Sequence, residues 1–336
     1  MKLFFKIILG GFVLLSTVML LGAAGGSWWA YQEFNTPNTV ENSVTIIVPR
    51  GAHIGGIADA LSYESLIDYP LLFKVGGRLT GQASSLKAGE YEIIAHASMK
   101  DILDLLESGK VIQRQITIRE GLTNWEIEQL LMAHEELDKE EEILMKTEGM
   151  YLPETYSYQK GDSVAGVMNR MNIALKETLS NAWAARSPDL PLKTKEEALI
   201  LASIIEKETA VASERKKVAG VFINRLRRGI PLQTDPTVIY ALTMGKHKNE
   251  GKGPLGRRLL KKDLKVDSPY NTYKYTGLPP TPIANAGKAA IEAALNPAHH
   301  NYIYFVADGT GGHAFAKTLS EHNNNVARWR KIRKNK

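Results

Sequence analysis

The chain has 336 residues, of which 44% are hydrophobic and 23% are charged, with a net charge of +6. This balance is typical of a chain that buries a core, so the length predicts two or three compact units and the composition excludes a largely disordered protein. Cysteine is absent from the sequence. Disulfides, thiolate nucleophiles and cysteine metal sites are therefore excluded.

The segment Ile7–Gln32 contains no charged side chain. As a helix it would be roughly 39 Å long, more than the ~30 Å hydrocarbon layer of a bilayer. Lys2 and Lys6 precede this segment and Glu33 follows it, so the positive-inside rule predicts a cytoplasmic N-terminus and an extracytoplasmic body. Residues 1–32 are thus predicted to be a cytoplasmic tip and a single-pass anchor in the cytoplasmic (inner) membrane. A body on the outer side excludes nucleic acid as a partner.

A cleaved signal peptide is the alternative interpretation of the same segment. Small residues at positions 22–24 follow a leucine-rich stretch, as they do at processing sites. Trp28, Trp29 and Tyr31 favour the anchor, because amphipathic rings at the end of an apolar span prefer the headgroup layer. A short linker is predicted to follow over residues 33–43.

A mixed α/β unit is predicted over residues 44–112. Val44–Val48 is a β-branched run, and apolar residues then recur at helical spacing from residue 54 to residue 61. Leu86–Ile94 alternates like a strand, and Ser98–Ser108 has the pattern of a capped amphipathic helix.

The order of strand, turn and helix recurs 70 residues further along the chain. The matched positions are Ile46 with Ile116, Val48 with Ile118 and Gly51 with Gly121. The second helix begins with Thr123 and Glu126 in the spacing of a capping box. Two ordinary strand–helix units would produce the same pattern, so an internal repeat and a coincidence both remain open.

A helix-rich domain is predicted over residues 113–336. Thr194 and Glu197 form a capping-box pattern, and the run that follows is apolar on every side, which predicts a buried helix. Further elements are predicted as helices over 160–186 and 213–230 and a strand over Tyr302–Ala307.

Glu206 ends this apolar run on the same helical face as Leu199 and Ala202. Desolvation there would raise the pKa of its carboxyl group, so that it could hold a proton and donate it to a leaving oxygen. Glu208 lies about 200° further round the helix, so it is not expected to act as a partner of Glu206 across one sugar. The alternative is that the helix simply reaches solvent at Glu206.

Several motifs accompany Glu206 and lie within Glu148–Tyr156, Leu201–Thr209, Gln233–Tyr240, Ser268–Tyr273, Gly277–Pro280, Tyr304–Gly309 and the pair Gly312 and His313. Together they resemble the endolytic murein (peptidoglycan) transglycosylase family, of YceG-like type, and the resemblance extends from the anchor to about residue 322. Met150 and Glu154 depart from the family pattern, which usually has an aromatic residue and an aspartate there. Neither departure changes Glu206.

This resemblance implies an α+β fold with an N-terminal transmembrane helix, a small LysM-like glycan-binding module at 44–112 and a YceG-like catalytic domain at 113–336. It also implies cleavage between N-acetylmuramic acid and N-acetylglucosamine within peptidoglycan strands, leaving a 1,6-anhydro end and terminating the growth of nascent strands. Glu206 would act first as acid and then as base. The implied partners are glycan strands, the membrane and cell-wall synthases (penicillin-binding proteins).

Five further residues are candidates for orienting the sugar or stabilising the oxocarbenium-like state: Glu148, Gln233, Asp235, Asn271 and Tyr273. Capping and turn formation are the structural alternatives for them. His313 lies beside glycines, where a hydrogen-bonded structural role is the usual one. The histidines form no H-E-x-x-H array, and neither a metal site nor a cofactor is predicted.

Two other functions remain compatible with the sequence. One is a non-catalytic scaffold that binds the cell wall. The other is a hydrolytic muramidase, which would need a second carboxylate at a defined separation, supplied by Glu148 or Asp235.

Overall fold

The computed structural model describes residues 2–141, 143–144, 146–247 and 254–334. The chain divides into two compact units, Met1–Arg114 and Gln115–Lys336. The division lies next to the boundary predicted after residue 112. Helices and strands occur in both units, as the predicted mixture of helix and sheet requires.

The first unit begins with helix α1, Lys2–Asn35. Its stretch Lys6–Asn35 is long and apolar enough to cross a membrane, and the most apolar part of this stretch is exposed on the surface of the protein. The hydroxyl groups of Ser16 and Thr17 donate to the carbonyl oxygens of Phe12 and Val13, at 2.6 and 2.8 Å. These two hydroxyl groups are therefore satisfied within the helix itself, as an apolar environment demands.

The remainder of the first unit consists of β1 (Val44–Val48), α2 (Ile54–Tyr63), α3 (Pro70–Leu79), a 3₁₀ turn (Gln82–Ser84), β2 (Gly89–Ile93) and α4 (Met99–Ser108). Strands β1 and β2 are antiparallel, with Val44 opposite Ile93 and Val48 opposite Gly89. Their inward side chains pack with those of α2, α3 and α4 in one core. The sequence predicted β1, α2 and α4, predicted β2 with longer bounds, and did not predict α3.

Both ends of helix α4 are determined by residues that lie close to them in the sequence. The Ser98 hydroxyl accepts a hydrogen bond from the Asp101 amide, and the Asp101 carboxylate accepts one from the Ser98 amide. Gly109 ends the helix in the left-handed conformation, with φ of 72°, where glycine carries no Cβ penalty. Both termini thus use groups close in sequence.

The second unit contains β4 (Thr155–Tyr158) paired with β3 (Arg114–Thr117), and β5 (Tyr304–Ala307) antiparallel to β6 (His313–Ala316). Its helices are α5 (Asn124–Met132), α6 (Val164–Ala184), α7 (Lys195–Glu208), α8 (Arg215–Arg227), α9 (Asp235–Thr243), α10 (Lys288–Leu295) and α11 (Leu319–Lys334). Two 3₁₀ turns lie at Ala212–Glu214 and Asp263–Lys265. The sequence predicted α5, α6, α7, α8 and β5, but not α9, α10 or α11.

The strand–turn–helix pattern noted in the sequence is present twice in the structure. Gly51 follows β1 and Gly121 follows β3, and both adopt the left-handed conformation, with φ of 78° and 77°. The capping box of Thr123 and Glu126 is formed at the start of α5. The equivalent glycines explain the sequence match, because a side chain would be strained at either position.

Helix α7 is the centre of the larger core of the second unit. Residues 198–205 are all buried, as their apolar sequence predicted, and they pack against α6, α8, α9 and α10. The Thr194 hydroxyl accepts from the Glu197 amide at 3.2 Å, but the Glu197 carboxylate binds the Lys193 amide and not that of Thr194. The capping box predicted here is therefore only half formed.

Candidate active site

Glu206 lies in the last turn of α7, where the helix leaves the core. Its side chain is only 6% exposed. One carboxylate oxygen, Oε2, accepts a hydrogen bond from the Gly287 amide at 3.0 Å, and Oε1 lies 3.9 Å from the Arg215 guanidinium. Gly287 is the N-cap residue of α10, so Glu206 also joins α7 to the start of α10.

Burial is the main reason why the pKa of Glu206 is raised above its ordinary value. The Gly287 amide opposes this shift because it stabilises the carboxylate, whereas the nearby charge of Glu120 reinforces it. Arg215 and Lys207 lower the pKa to a smaller extent. The carboxyl group therefore has neighbours that favour its protonated form and neighbours that favour the carboxylate.

Glu206 lines an open cleft with a volume of about 540 Å³. The cleft is polar and carries charges of both signs, since its other lining residues are Thr117, Ile118, Arg119, Glu120, Pro153, Glu154, Thr155, Ala210 and Arg215. Such a wall offers donors and acceptors suited to the hydroxyl groups of a saccharide. Glu154, one of the two departures from the family pattern, is part of this wall.

Glu208 occupies a second environment on the other side of α7. Its carboxylate accepts a hydrogen bond from the Thr234 hydroxyl. The pKa of Glu208 is raised, first by burial and then by the adjacent Asp235, while the Thr234 hydrogen bond, His313 and Arg225 act in the opposite sense. Glu206 and Glu208 share none of their described hydrogen-bond partners, consistent with the large angle between them around the helix.

Two of the predicted sugar-orienting residues lie with Glu208 and not with Glu206. Asp235, the first residue of α9, accepts a hydrogen bond from the Tyr273 hydroxyl at 2.7 Å. The charge of Glu208 is close enough to raise the pKa of Tyr273, after burial and Asp235. Gln233, which directly precedes Thr234, is exposed and has a left-handed backbone with φ of 50°.

Asn271 is fully buried and fastens the loop that carries Tyr273. Its Nδ2 donates to the carbonyl oxygens of Leu264 and Val266 at 2.9 and 2.8 Å, and its Oδ1 accepts from the Tyr273 amide at 3.0 Å. All the polar atoms of this side chain are thus used within the protein. These contacts hold the loop with Tyr273 in position, which is the structural alternative considered for Asn271.

Glu148 lies at the start of α5. Its Oε1 accepts hydrogen bonds from the amides of Asn124 and Gly149 at 2.7 and 3.2 Å, and its Oε2 accepts from the Tyr240 hydroxyl at 3.3 Å. Burial raises its pKa despite these donors. These contacts are those of a helix N-terminal cap, the structural alternative considered for this residue.

His313 is held by Glu214, the last residue of the 3₁₀ turn before α8. The Glu214 carboxylate accepts from the His313 amide at 3.0 Å and lies 2.7 Å from the ring Nδ1. The residue thus has the hydrogen-bonded structural role expected for it.

Two residues near Glu206 were not predicted from the sequence, and Glu208 was considered only as a partner of Glu206 across one sugar. Arg215 and Glu120 flank Glu206, and Glu208 has its own polar surroundings. Helical periodicity selected Glu206 because it lies on the apolar face of the helix, and Glu208, which lies on another face, was disfavoured. The motif that contains Thr234 and Asp235 was a sequence signal for Glu208. The contact between this motif and Glu208 is evident only from the tertiary structure.

Comparison with known proteins identifies relatives over most of the chain. The model of the YceG-like family matches residues 46–328. An endolytic murein transglycosylase from Bacillus subtilis is 35% identical over 315 residues, which cover 84% of each chain. One from Streptococcus pneumoniae is 29% identical, and the match covers 94% of this chain and 64% of that longer protein.

Among solved structures, a yceG-like protein from Listeria monocytogenes is 31% identical and matches with a TM-score of 0.48. The match covers 84% of this chain and 99% of that one. The family assignment rests on the sequence matches, since the family model spans well over half of the chain and the Bacillus relative exceeds 30% identity over more than two thirds of it. The chain belongs to the YceG-like family.

Proposed function

We propose that this protein is a lytic transglycosylase that cleaves the bond between N-acetylmuramic acid and N-acetylglucosamine within peptidoglycan strands and leaves a 1,6-anhydro end. Family membership and the relatives named endolytic murein transglycosylase support cleavage of peptidoglycan glycan. The observation that carries the mechanism is Glu206, a desolvated carboxyl with a raised pKa in the wall of an open cleft. Such a group can serve a reaction that needs one acid and later one base.

In the first step, the protonated Glu206 donates its proton to the bridging oxygen as the bond from that oxygen to C1 of the muramic acid breaks. In the second step, the oxygen of the sugar's own 6-hydroxyl forms a bond to C1, and the Glu206 carboxylate accepts the proton of that hydroxyl. No water is consumed, and Glu206 ends the reaction protonated, as it began. Burial and Glu120 favour the acid form, and the Gly287 amide and Arg215 favour the carboxylate.

Glu208 is a second candidate for the same role, and specific contacts favour it. Like Glu206, Glu208 has a pKa that is raised mainly by burial and also by an acidic neighbour, which is Asp235 here and Glu120 for Glu206. Asp235 and Tyr273 lie beside Glu208, where they could orient a sugar. The open cleft favours Glu206.

The discriminating experiment is digestion of purified peptidoglycan by the full-length protein in detergent, with Glu206→Gln and Glu208→Gln compared in parallel. Removing the acid should lower the rate by about 10²- to 10⁴-fold and leave the other variant active. Mass spectrometry of the products should show anhydromuramyl ends. Hydrated reducing ends would identify a muramidase, and an inactive wild-type protein would favour the scaffold hypothesis.

If Glu208→Gln abolished cleavage while Glu206→Gln retained it, the assignment of Glu206 would be wrong. A folded-state check by circular dichroism accompanies both variants, because each replaced carboxyl also holds a structural hydrogen bond. Glutamine keeps an oxygen that can accept the structural hydrogen bond but has no carboxyl proton. A loss of activity with an unchanged spectrum therefore shows that the reaction needs the proton of that carboxyl group.

The first unit supports two further parts of this proposal. Helix α1 would be a single-pass anchor with its N-terminus in the cytoplasm, placing the rest of the protein outside beside cell-wall synthases. The order β1, α2, α3, β2 has paired helices between paired strands and supports a LysM-like glycan-binding module. Protease protection in spheroplasts tests the orientation, and crosslinking to penicillin-binding proteins tests the partnership.

A further inference from the structure

The N-terminal end of α3 exposes apolar side chains to solvent. Leu71, in the first turn, is 73% exposed, and Tyr69, the N-cap residue, is 44% exposed. The same helix buries Phe73 and Gly77 on its other face. Single exposed apolar residues are common in proteins, so their meaning depends on what lies beside them.

The neighbour of this end is the membrane-spanning helix of the same unit. The Trp29 ring of α1 contacts the Tyr69 ring edge to face, with ring centroids 5.3 Å apart and planes at 85°. Five residues further along α1, the Phe34 ring packs against Gly76, where an added Cβ would lie 2.3 Å from it. Helix α3 therefore starts at the level of Trp29 and proceeds in the same direction as α1.

These two contacts define the level of α3 relative to a bilayer. About 20 helical residues cross the ~30 Å hydrocarbon layer, so an anchor that starts near Lys6 leaves it shortly before Trp28 and Trp29. Tryptophan and tyrosine rings favour the headgroup layer at that point. Tyr69 touches Trp29 and so lies at the same level, and Leu71 is two residues further along.

We propose that the N-terminal end of α3 is a membrane-contacting surface, with Tyr69 and Leu71 inserted into the headgroup layer of the bilayer that α1 spans. This inference rests on the proposed anchor function of α1. Contact with lipid would remove the apolar surface of Leu71 from water, which favours insertion. The first unit would then stand on the bilayer at a fixed orientation, and a glycan bound to it would be held close to the membrane.

The chain has no cysteine, so single-cysteine variants can be spin-labelled in the full-length protein without other changes. The test compares Leu71→Cys with Leu79→Cys in vesicles of phosphatidylethanolamine and phosphatidylglycerol. Leu79 is a matched control at the far end of the same helix, 83% exposed and about 12 Å further along at 1.5 Å per residue. A third label at Val18 reports on α1 itself.

Collisions with oxygen, which is concentrated in lipid, and with a water-soluble nickel chelate give the depth of each label. The expected result is a higher ratio of oxygen to nickel collisions at Leu71 than at Leu79. Aqueous values at both positions would overturn membrane contact, and equal lipid-like values at both would overturn the orientation inferred from Trp29 and Phe34. An aqueous value at Val18 would reject the anchor and with it this inference, whereas a lipid-like Val18 beside an aqueous Leu71 would reject this inference alone.

Discussion

Replacement of Asn285 by alanine should destabilise the second unit, because this fully buried side chain joins three segments. Its Nδ2 donates to the Leu122 carbonyl and to the Asn124 side-chain oxygen, both at 2.9 Å, and its Oδ1 accepts from the Tyr151 amide at 2.9 Å. The segment that it fastens leads to the start of α10, where the Gly287 amide binds Glu206.

The loss of stability depends on which polar groups are left without a hydrogen-bond partner. The Leu122 carbonyl keeps the hydrogen bond from the Asn285 backbone amide at 2.8 Å, and the Asn124 oxygen still accepts from the Gly149 amide at 3.3 Å. The Tyr151 amide loses its acceptor, and an unsatisfied buried donor costs about 1–3 kcal/mol. With the two other bonds lost, we expect the free energy of unfolding to fall by about 3 kcal/mol.

Thermal unfolding of the full-length protein in detergent, followed by circular dichroism, measures this effect. At about 2–4 °C per kcal/mol for a domain of this size, the midpoint should fall by roughly 6 to 12 °C. Asn172→Ala is the matched control, because Asn172 is also buried but, within the part of the chain that the structure describes, its side chain makes one hydrogen bond, to the Met150 carbonyl at 2.7 Å. It should lose about 1 kcal/mol. Equal losses in the two variants would refute the reasoning.

Two further changes test the electrostatics of α7 and the capping of α4. Burial raises the pKa of Glu208 above 4.5, so the folded protein binds this proton more tightly than the unfolded chain, and stability must decline as the pH rises from 4.5 through the folded-state pKa. Glu208→Gln removes this decline. The free energy of unfolding of the variant relative to wild type, measured in urea, should therefore increase as the pH rises. A difference between the two proteins that did not change with pH would contradict the raised pKa of Glu208. Ser98→Ala removes the capping box of α4 and should cost about 1 kcal/mol in urea unfolding, whereas Ser98→Thr should retain most of it. Equal behaviour of the two Ser98 variants would argue against the cap.

The sequence alone determined the features whose causes lie within one segment. The uncharged run after Lys6 predicted α1, the spacing of Ser98 and Gly109 predicted the ends of α4, and the apolar run before Glu206 predicted a buried α7. Each depends on hydrophobicity or on hydrogen bonds between residues a few positions apart. The family motifs added the function, through resemblance.

Only the tertiary structure decided how the candidate residues group around α7. Tyr273 meets Asp235 across 38 residues of sequence, and Glu206 meets the Gly287 amide across 81. Helical periodicity separated Glu206 from Glu208 but carried no information about what faces each of them. Those contacts arise because packing of α7 against α9 and α10 brings distant loops to its last turn, and hydrogen bonds made across such distances leave no periodic pattern in the sequence.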